Sequence, residues 1–297
     1  MRLLITGGNG FIGSNFDVGV KISRKDCDLM NLDEVIKVFS DIKPDAIIHT
    51  AGKIGGVYGN IKEKGRYCYE NVVINANVLE AARIVGVKRV LSLSSSCAYP
   101  VDAPIPYKEI DFHNGMPHEA HYGYAYAKRV LDIMSRTYCE QYGVIYNCLV
   151  LCNVYGPNDH FGKESGHLVP SLIHKAYVSW KNKTDAFCVW GDGTPMRQFI
   201  YVKDVVDICK KALLKFTTPG ILNVGDEKEY TVKQLAKIIS SNFDNIPFYF
   251  DVNMPNGQFR KPMSIELFKQ LFSNYKFTSL QEGIKQTIEI YKKEMEK

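Results

Sequence analysis

The chain has 297 residues, about twice a typical domain, so two domains or one large α/β unit are expected. Apolar residues make up 45% and charged residues 23%, the balance of a soluble, well-cored protein. Thirty-seven Lys and Arg against 32 Asp and Glu leave a net charge of +5, too slight for a dedicated nucleic-acid or membrane binder but suited to an anionic small molecule. The run Leu3–Thr6 predicts a first strand, too short before its glycines to be a secretory signal. No apolar run reaches the roughly 18 residues of a membrane-crossing helix. Further strands are expected at Val18–Ile22, Ala46–Thr50, Arg89–Ser94, Tyr146–Leu151 and Ile221–Val224, several of them continuous Ile/Val/Leu runs that suit strands covered on both faces. Between them, helical spacing appears near residues 32–42, 71–86 and 125–142; the last carries Ala127, Val130, Leu131, Met134 and Tyr138 on one face.

This β-then-α alternation predicts an α/β fold, a doubly wound parallel sheet of the Rossmann kind with a smaller C-terminal substrate lobe. After Gly156-Pro157-Asn158-Asp159, a turn, the rhythm changes. A helix is expected near 168–179, the sheet pattern resumes at Phe199–Val202 and Ile221–Val224, and another helix carries Val232, Leu235, Ala236 and Ile239. The expected division is 1–155 with 200–228 for the nucleotide-binding domain and 156–199 with 229–297 for the second lobe. Eight scattered cysteines form no CxxC and read as reduced thiols of a cytoplasmic protein.

Gly7-Gly8-Asn9-Gly10-Phe11-Ile12-Gly13 follows the first strand. Gly7, Gly10 and Gly13 allow a tight turn and close approach of a pyrophosphate, with the next helix N-terminus behind it. That placement predicts a dinucleotide site, with Phe11 and Ile12 in its loop. Only five residues separate Gly13 from Gly19, so the first crossover helix has hardly more than a turn or two, and the link barely reaches the dozen or so residues a parallel connection needs. No acid ends the second strand; Ser23-Arg24-Lys25 stands there, and Arg24 reads as a clamp for the 2′-phosphate of NADP(H). The bland reading is a solvated basic turn. Tyr124-Ala-Tyr-Ala-Lys128 places a phenol and an ammonium on one helix face, where the ammonium favours the tyrosinate and lowers the phenol pKa. Ser94-Ser95-Ser96-Cys97 at a strand end offers a hydroxyl for the same carbonyl oxygen.

On these motifs the sequence resembles the extended short-chain dehydrogenase/reductase family. It is most similar to the branch that epimerises and reduces GDP-4-keto-6-deoxymannose. The resemblance is carried by His49-Thr-Ala-Gly-Lys-Ile-Gly-Gly56, Ser95-Ser-Cys-Ala-Tyr-Pro100, Tyr124–Lys128, Asn153-Val-Tyr-Gly-Pro157, Gly166-His-Leu-Val-Pro170, Trp190-Gly-Asp-Gly-Thr-Pro-Met-Arg-Gln-Phe199 and Asn256-Gly-Gln-Phe-Arg-Lys261. It implies an NADP(H)-dependent enzyme acting on a GDP-linked 4-keto sugar, with no metal, and a homodimer built on two helices of each nucleotide lobe, one of them bearing Tyr124. Ser95, Tyr124 and Lys128 would form the reductase triad, Cys97 and His167 the epimerase base and acid. Ala51 would join the cofactor loop, and Ser96, Asn153, Lys175, Trp190, Arg197 and Lys261 would meet the substrate. Read from the residues alone, Cys97 is a small apolar residue, His167 a helix-start residue, and the three cations solvated surface. The chain departs from the branch in its short first crossover and in Cys152, where relatives usually carry threonine. Two alternatives stand beside this reading: a GDP-4-keto sugar reductase, of a heptose for example, without epimerisation, and a catalytically silent NADP-binding sensor.

Overall fold

The computed structural model describes residues 1–55, 62–162 and 167–296. Gly56 and Gly166, the ends of two of the motifs above, lie outside the described residues. Six strands form one parallel sheet in the order β2-β1-β3-β4-β5-β9: β1 (Leu3–Thr6), β2 (Val20–Ile22), β3 (Ala46–His49), β4 (Arg89–Ser95), β5 (Ile145–Leu151) and β9 (Gly220–Val224). Every residue of β1, β3 and β9 is buried, as their apolar runs require of strands covered on both faces.

Helices α2 (Leu32–Ile42), α3 (Lys64–Val85) and α4 (Tyr122–Tyr142) pack on one another in sequence, while α6 (Val202–Lys215) packs on β4 and on the short α1 (Phe11–Ser14). α2 starts where expected because the Asn31 side chain accepts from the Glu34 amide. α3 begins seven residues before position 71, and α4 three before 125. Glycine near each start hides the helical pattern, and neither has a side-chain cap. Gly123 has a packing reason: a Cβ there would lie 2.6 Å from the Lys64 carbonyl oxygen, so the glycine lets α4 approach the first turn of α3.

The first crossover is as short as expected. β2 begins at Val20 rather than Val18, and α1 is a single turn, yet β1 and β2 pair in parallel through Leu4–Val20, Ile5–Lys21 and Thr6–Ile22. One expectation fails. Phe199–Val202 does not return to the main sheet: β8 (Met196–Tyr201) pairs with β6 (Asn153–Tyr155) and β10 (Glu229–Thr231) in a separate three-stranded sheet, and Val202 opens α6. The apolar pattern fits either sheet, and the partner strands decide which. Ile221–Val224 does join the main sheet, beside β5.

A second buried cluster lies around α5 (Leu168–Lys181), β7 (Phe187–Trp190), α7 (Val232–Ser240) and α9 (Leu280–Met295). It includes Tyr155, Leu172, Phe187, Phe243 and Ile284. β7 pairs in parallel with β11 (Phe248–Asp251), and α8 (Glu266–Leu271) packs on β9. Ile12 and Val154 are packed against both buried clusters. The carboxyl ends of β1, β4 and β5 open onto that seam, where ligands of parallel sheets bind.

Candidate active site

The glycine loop has the shape of a cradle. Gly7 takes φ of 71°, and a Cβ there would press on the Ala51 backbone at 2.8 Å; at Gly13 it would lie 2.2 Å from the Gly7 carbonyl oxygen. Both glycines are therefore required by close backbone approach, which keeps the loop tight. Gly10 N–H closes the turn onto the Gly7 carbonyl at 2.8 Å, and the following amides open a helix with no intrahelical acceptor. Because α1 is one turn long, these amides, rather than a long helix dipole, are what an anion would meet.

At the end of β2, Ser23 donates from its amide and hydroxyl to Asp26 Oδ2 at 2.8 and 2.7 Å. That commits the nearest acid to the turn and leaves the Arg24 side chain exposed. Glu70 on α3 lies close to Arg24. Its carboxyl is held below the usual range chiefly by the Arg66 hydrogen bond, with Lys53 and Arg24 adding to it. The cradle and this basic rim fit a phosphorylated dinucleotide.

Ser95 closes β4 and accepts from the Cys97 amide at 3.3 Å, which leaves its own hydroxyl hydrogen available to donate. Arg129 on α4 donates to the Ala98 and Gly115 carbonyls at 2.8 and 2.6 Å and ties the Ser96–Ala98 turn to that helix. Ser96 is buried within that turn. Tyr124 and Lys128 share one face of α4, the ammonium 5.7 Å from the ring centroid, and Lys128 Nζ donates to the Leu93 carbonyl at 2.7 Å.

The expected lowering of the phenol pKa is not what this geometry does. Burial pushes Tyr124 up, with charge on Cys97 adding to it, and burial pulls Lys128 down to about 8. Loss of water outweighs the attraction across that distance, and the phenol is held in its proton-bearing form.

Lys261 Nζ lies 3.6 Å from Cys97 Sγ. Charge on Cys97 also bears on Tyr107 and Arg197, so both lie within electrostatic range of the thiol. His167 precedes α5, and both oxygens of the buried Asp159 lie 3.2 Å from its Nδ1. Burial disfavours the imidazolium, but the hydrogen bond and charge of Asp159 outweigh it and raise the ring's pKa, while Lys261 opposes. Ser95, Cys97, Tyr124, Lys128, Lys261 and His167 thus gather at the seam.

The remaining candidates divide. Asn153 donates its amide to the Gln198 carbonyl at 2.7 Å. Arg197 Nη1 holds the Met196 and Phe259 carbonyls at 2.8 and 3.2 Å. Lys175 Nζ sits 4.5 Å over the half-exposed Trp190 ring. Cys152 is buried under Gly225, where a Cβ would meet its sulfur at 2.8 Å, and burial pushes its thiol up to about 12.

Three further titratable groups beside these residues carry no motif of their own in the sequence. Asp159 was read only as part of a turn. His121, half-buried one turn before Tyr124, is held near 4 by burial, with Lys261 and His118 adding to the effect. His49 is buried in a relay from Thr6 Oγ1 (2.7 Å) to Asn75 (3.0 Å), whose amide donates to the Ala127 carbonyl. Tyr-x-x-x-Lys had a spacing to find it by; these contacts join residues far apart in the chain.

A family model described as the NAD dependent epimerase/dehydratase family matches residues 3–225. GDP-L-fucose synthase of Dictyostelium discoideum is 35% identical over 96% of this chain and 93% of that protein. A GDP-L-fucose synthetase from Naegleria fowleri, solved bound to NADP, superposes with a TM-score of 0.91 at 29% identity, covering 99% of this chain and 95% of that one. A GDP-mannoheptose C4 reductase from Campylobacter jejuni, with a TM-score of 0.86 at 24% identity over 98% of both chains, shares the fold.

Proposed function

The chain belongs to the NAD dependent epimerase/dehydratase family, and on that premise we propose that it is an NADP(H)-dependent epimerase/reductase of a GDP-linked 4-keto-6-deoxy sugar, yielding GDP-L-fucose or a close relative. The observation that carries the reading is the gathering of two acid–base sets at one seam: Ser95, Tyr124 and Lys128 on one side, Cys97 and His167, joined by Lys261, on the other. The Dictyostelium relative's name supports the substrate, and the NADP bound by the Naegleria protein supports the cofactor.

Gly7, Gly10, Phe11, Ile12, Gly13 and Ala51 hold the dinucleotide, and Arg24 takes its 2′-phosphate. When bound, NADPH supplies a hydride to the carbonyl carbon. Tyr124, kept protonated by burial, gives its proton to the carbonyl oxygen, and the Ser95 hydroxyl shares that oxygen. Lys128 holds its charge beneath them. Before reduction, Cys97 and His167 remove and return the protons at C3 and C5, which the adjacent ketone acidifies through the enolate. Ser96, Asn153, Lys175, Trp190, Arg197 and Lys261 orient the nucleotide sugar.

Residues 1–155 with 200–228 form the nucleotide lobe in this reading, and 156–199 with 229–297 the sugar lobe; the two buried clusters follow that division except that Met263, Ile265, Phe268 and Phe272 pack with the first and Tyr155, Tyr201 and Val202 with the second. Exposed Tyr69 and Ile84 on α3 with Tyr122 and Ile133 on α4 support a homodimer through those helices. A cytoplasmic location fits eight cysteines free of disulfides. Among the described residues no helix is long and apolar enough to cross a membrane.

Incubating the protein with GDP-4-keto-6-deoxymannose and NADP⁺ in D₂O tests the epimerase half, and NADPH oxidation tests the reductase half. Two deuterons per sugar are expected, with Cys97→Ser abolishing their entry. NADPH oxidation without deuterium leaves a 4-keto reductase, and neither signal refutes the enzyme.

A further inference from the structure

Asp159 follows β6 in a turn whose preceding residue, Asn158, takes φ of 66°. Its carboxylate is shut off from solvent, whereas the His167 side chain is 40% exposed. A buried carboxylate needs partners to remain charged. Here they are the His160 amide, 2.8 Å from Oδ1, and the His167 ring, with Nδ1 3.2 Å from both oxygens. Phe11 of the glycine loop borders the same ring, with centroids 6.3 Å apart. The two nitrogens lie on opposite edges of an imidazole, so a ring held through Nδ1 turns Nε2 away from Asp159.

We propose that Asp159 is a positioning residue for proton transfer: its buried carboxylate anchors Nδ1–H of His167 so that Nε2 serves the sugar carbon. The inference rests on the reading of His167 as the epimerase acid given above.

Among the described residues, the charged groups bearing on the ring are Asp159, which favours the imidazolium, and Lys261, which opposes it. Lys261 also stands 3.6 Å from Cys97 Sγ, so acid and base lie within reach of one ammonium. In the step itself, the Nε2–H bond breaks and its electron pair stays on nitrogen. The enolate's carbon–carbon π pair forms the new C–H bond and the ketone is restored. His167 ends as the neutral Nδ1–H tautomer, still bonded to an ionised Asp159. The carboxylate does not take the proton; it fixes the tautomer and stabilises the charged ring, as an orienting acid does for a catalytic histidine.

The test compares the full-length protein with its Asp159→Asn and Asp159→Glu variants. The His167 titration and tautomer, followed by NMR on ¹⁵N-histidine-labelled protein, need no substrate. The unmodified ring is expected to carry Nδ1–H and to titrate above the ordinary histidine value; Asp159→Asn should move the midpoint down, and Asp159→Glu should restore part of it. In D₂O exchange of the keto sugar, Asp159→Asn should slow deuterium entry at C3 and C5 by about 100-fold, the low end of what a placed acid contributes. The limb of its pH profile should move with the titration.

An unchanged midpoint and tautomer in Asp159→Asn, or slowed entry with an unmoved pH profile, overturns the proposal. Should the Asn variant not fold, the unmodified protein still decides, because an Nε2–H tautomer there contradicts the anchoring. No exchange in the unmodified protein removes the epimerase reading itself, whereas exchange that proceeds equally well in Asp159→Asn removes only the role of Asp159.

Discussion

Gly13→Ala probes the cradle most directly. A Cβ at Gly13 would stand 2.2 Å from the Gly7 carbonyl oxygen, 2.8 Å from the Gly7 carbonyl carbon and 3.0 Å from Gly8 Cα. All three neighbours are backbone, so no side-chain rotation relieves the clash, and the loop must retreat by about 1 Å to reach ordinary contact. Overpacking costs about 1–3 kcal/mol, and a backbone clash belongs near the top, at about 2–3 kcal/mol. If the loop opens to release it, that energy is withheld from dinucleotide binding, and NADPH affinity falls by about 30- to 150-fold. Fluorescence titration with NADPH, paired with thermal unfolding, separates a displaced loop from a weakened fold. Gly65→Ala is the matched control. It lies in the first turn of α3 with nothing within 4 Å of its added methyl, so stability should hold or rise by up to about 1 kcal/mol. Parent-like NADPH affinity and melting in Gly13→Ala would refute the cradle geometry.

Arg24→Ala should weaken NADPH by about 10- to 100-fold, the worth of a charged hydrogen bond, and leave NADH nearly unmoved; equal affinities for both cofactors in the parent would sink the clamp. Tyr124→Phe should cut turnover by about 10²- to 10⁴-fold and dinucleotide affinity far less, read by stopped-flow NADPH oxidation against equilibrium titration. His49 is held near 4 by burial, with Lys128 adding to it and the Asn75 bond opposing. Because the unfolded chain takes up this proton first, the His49 contribution is present in full above pH 6.5 and is lost as pH falls towards 4, by about 3 kcal/mol. Urea unfolding at pH 7 and pH 4.5 should show that loss shrinking in His49→Gln; equal losses in both proteins would refute it.

Much of the fold was legible in the sequence because its signals are local. Buried parallel strands such as Ala46–His49 need apolar side chains on both faces, and α2 announces itself through the helical spacing of residues 32–42. The glycine loop is read from three residues, and the missing Cβ atoms of Gly10 and Gly13 are demanded by backbone only a few positions away, while that of Gly7 is demanded by Ala51 on the neighbouring strand's exit. Tyr124 and Lys128 were legible for the same reason, since one helical turn brings them together. What those residues do to each other was not, because the phenol's proton is governed by burial from surrounding elements and the nearby ammonium loses that contest. β8 shows the same limit: Met196–Tyr201 has a strand's pattern, but whether it extends the main sheet or pairs with β6 and β10 depends on which backbone edge is open to it. Asp159 and His167, His49 and Asn75, and Cys97 and Lys261 meet only after the chain has folded. Hydrogen bonds and charge act through a few ångströms of space, and nothing in the order of residues along the chain encodes that distance.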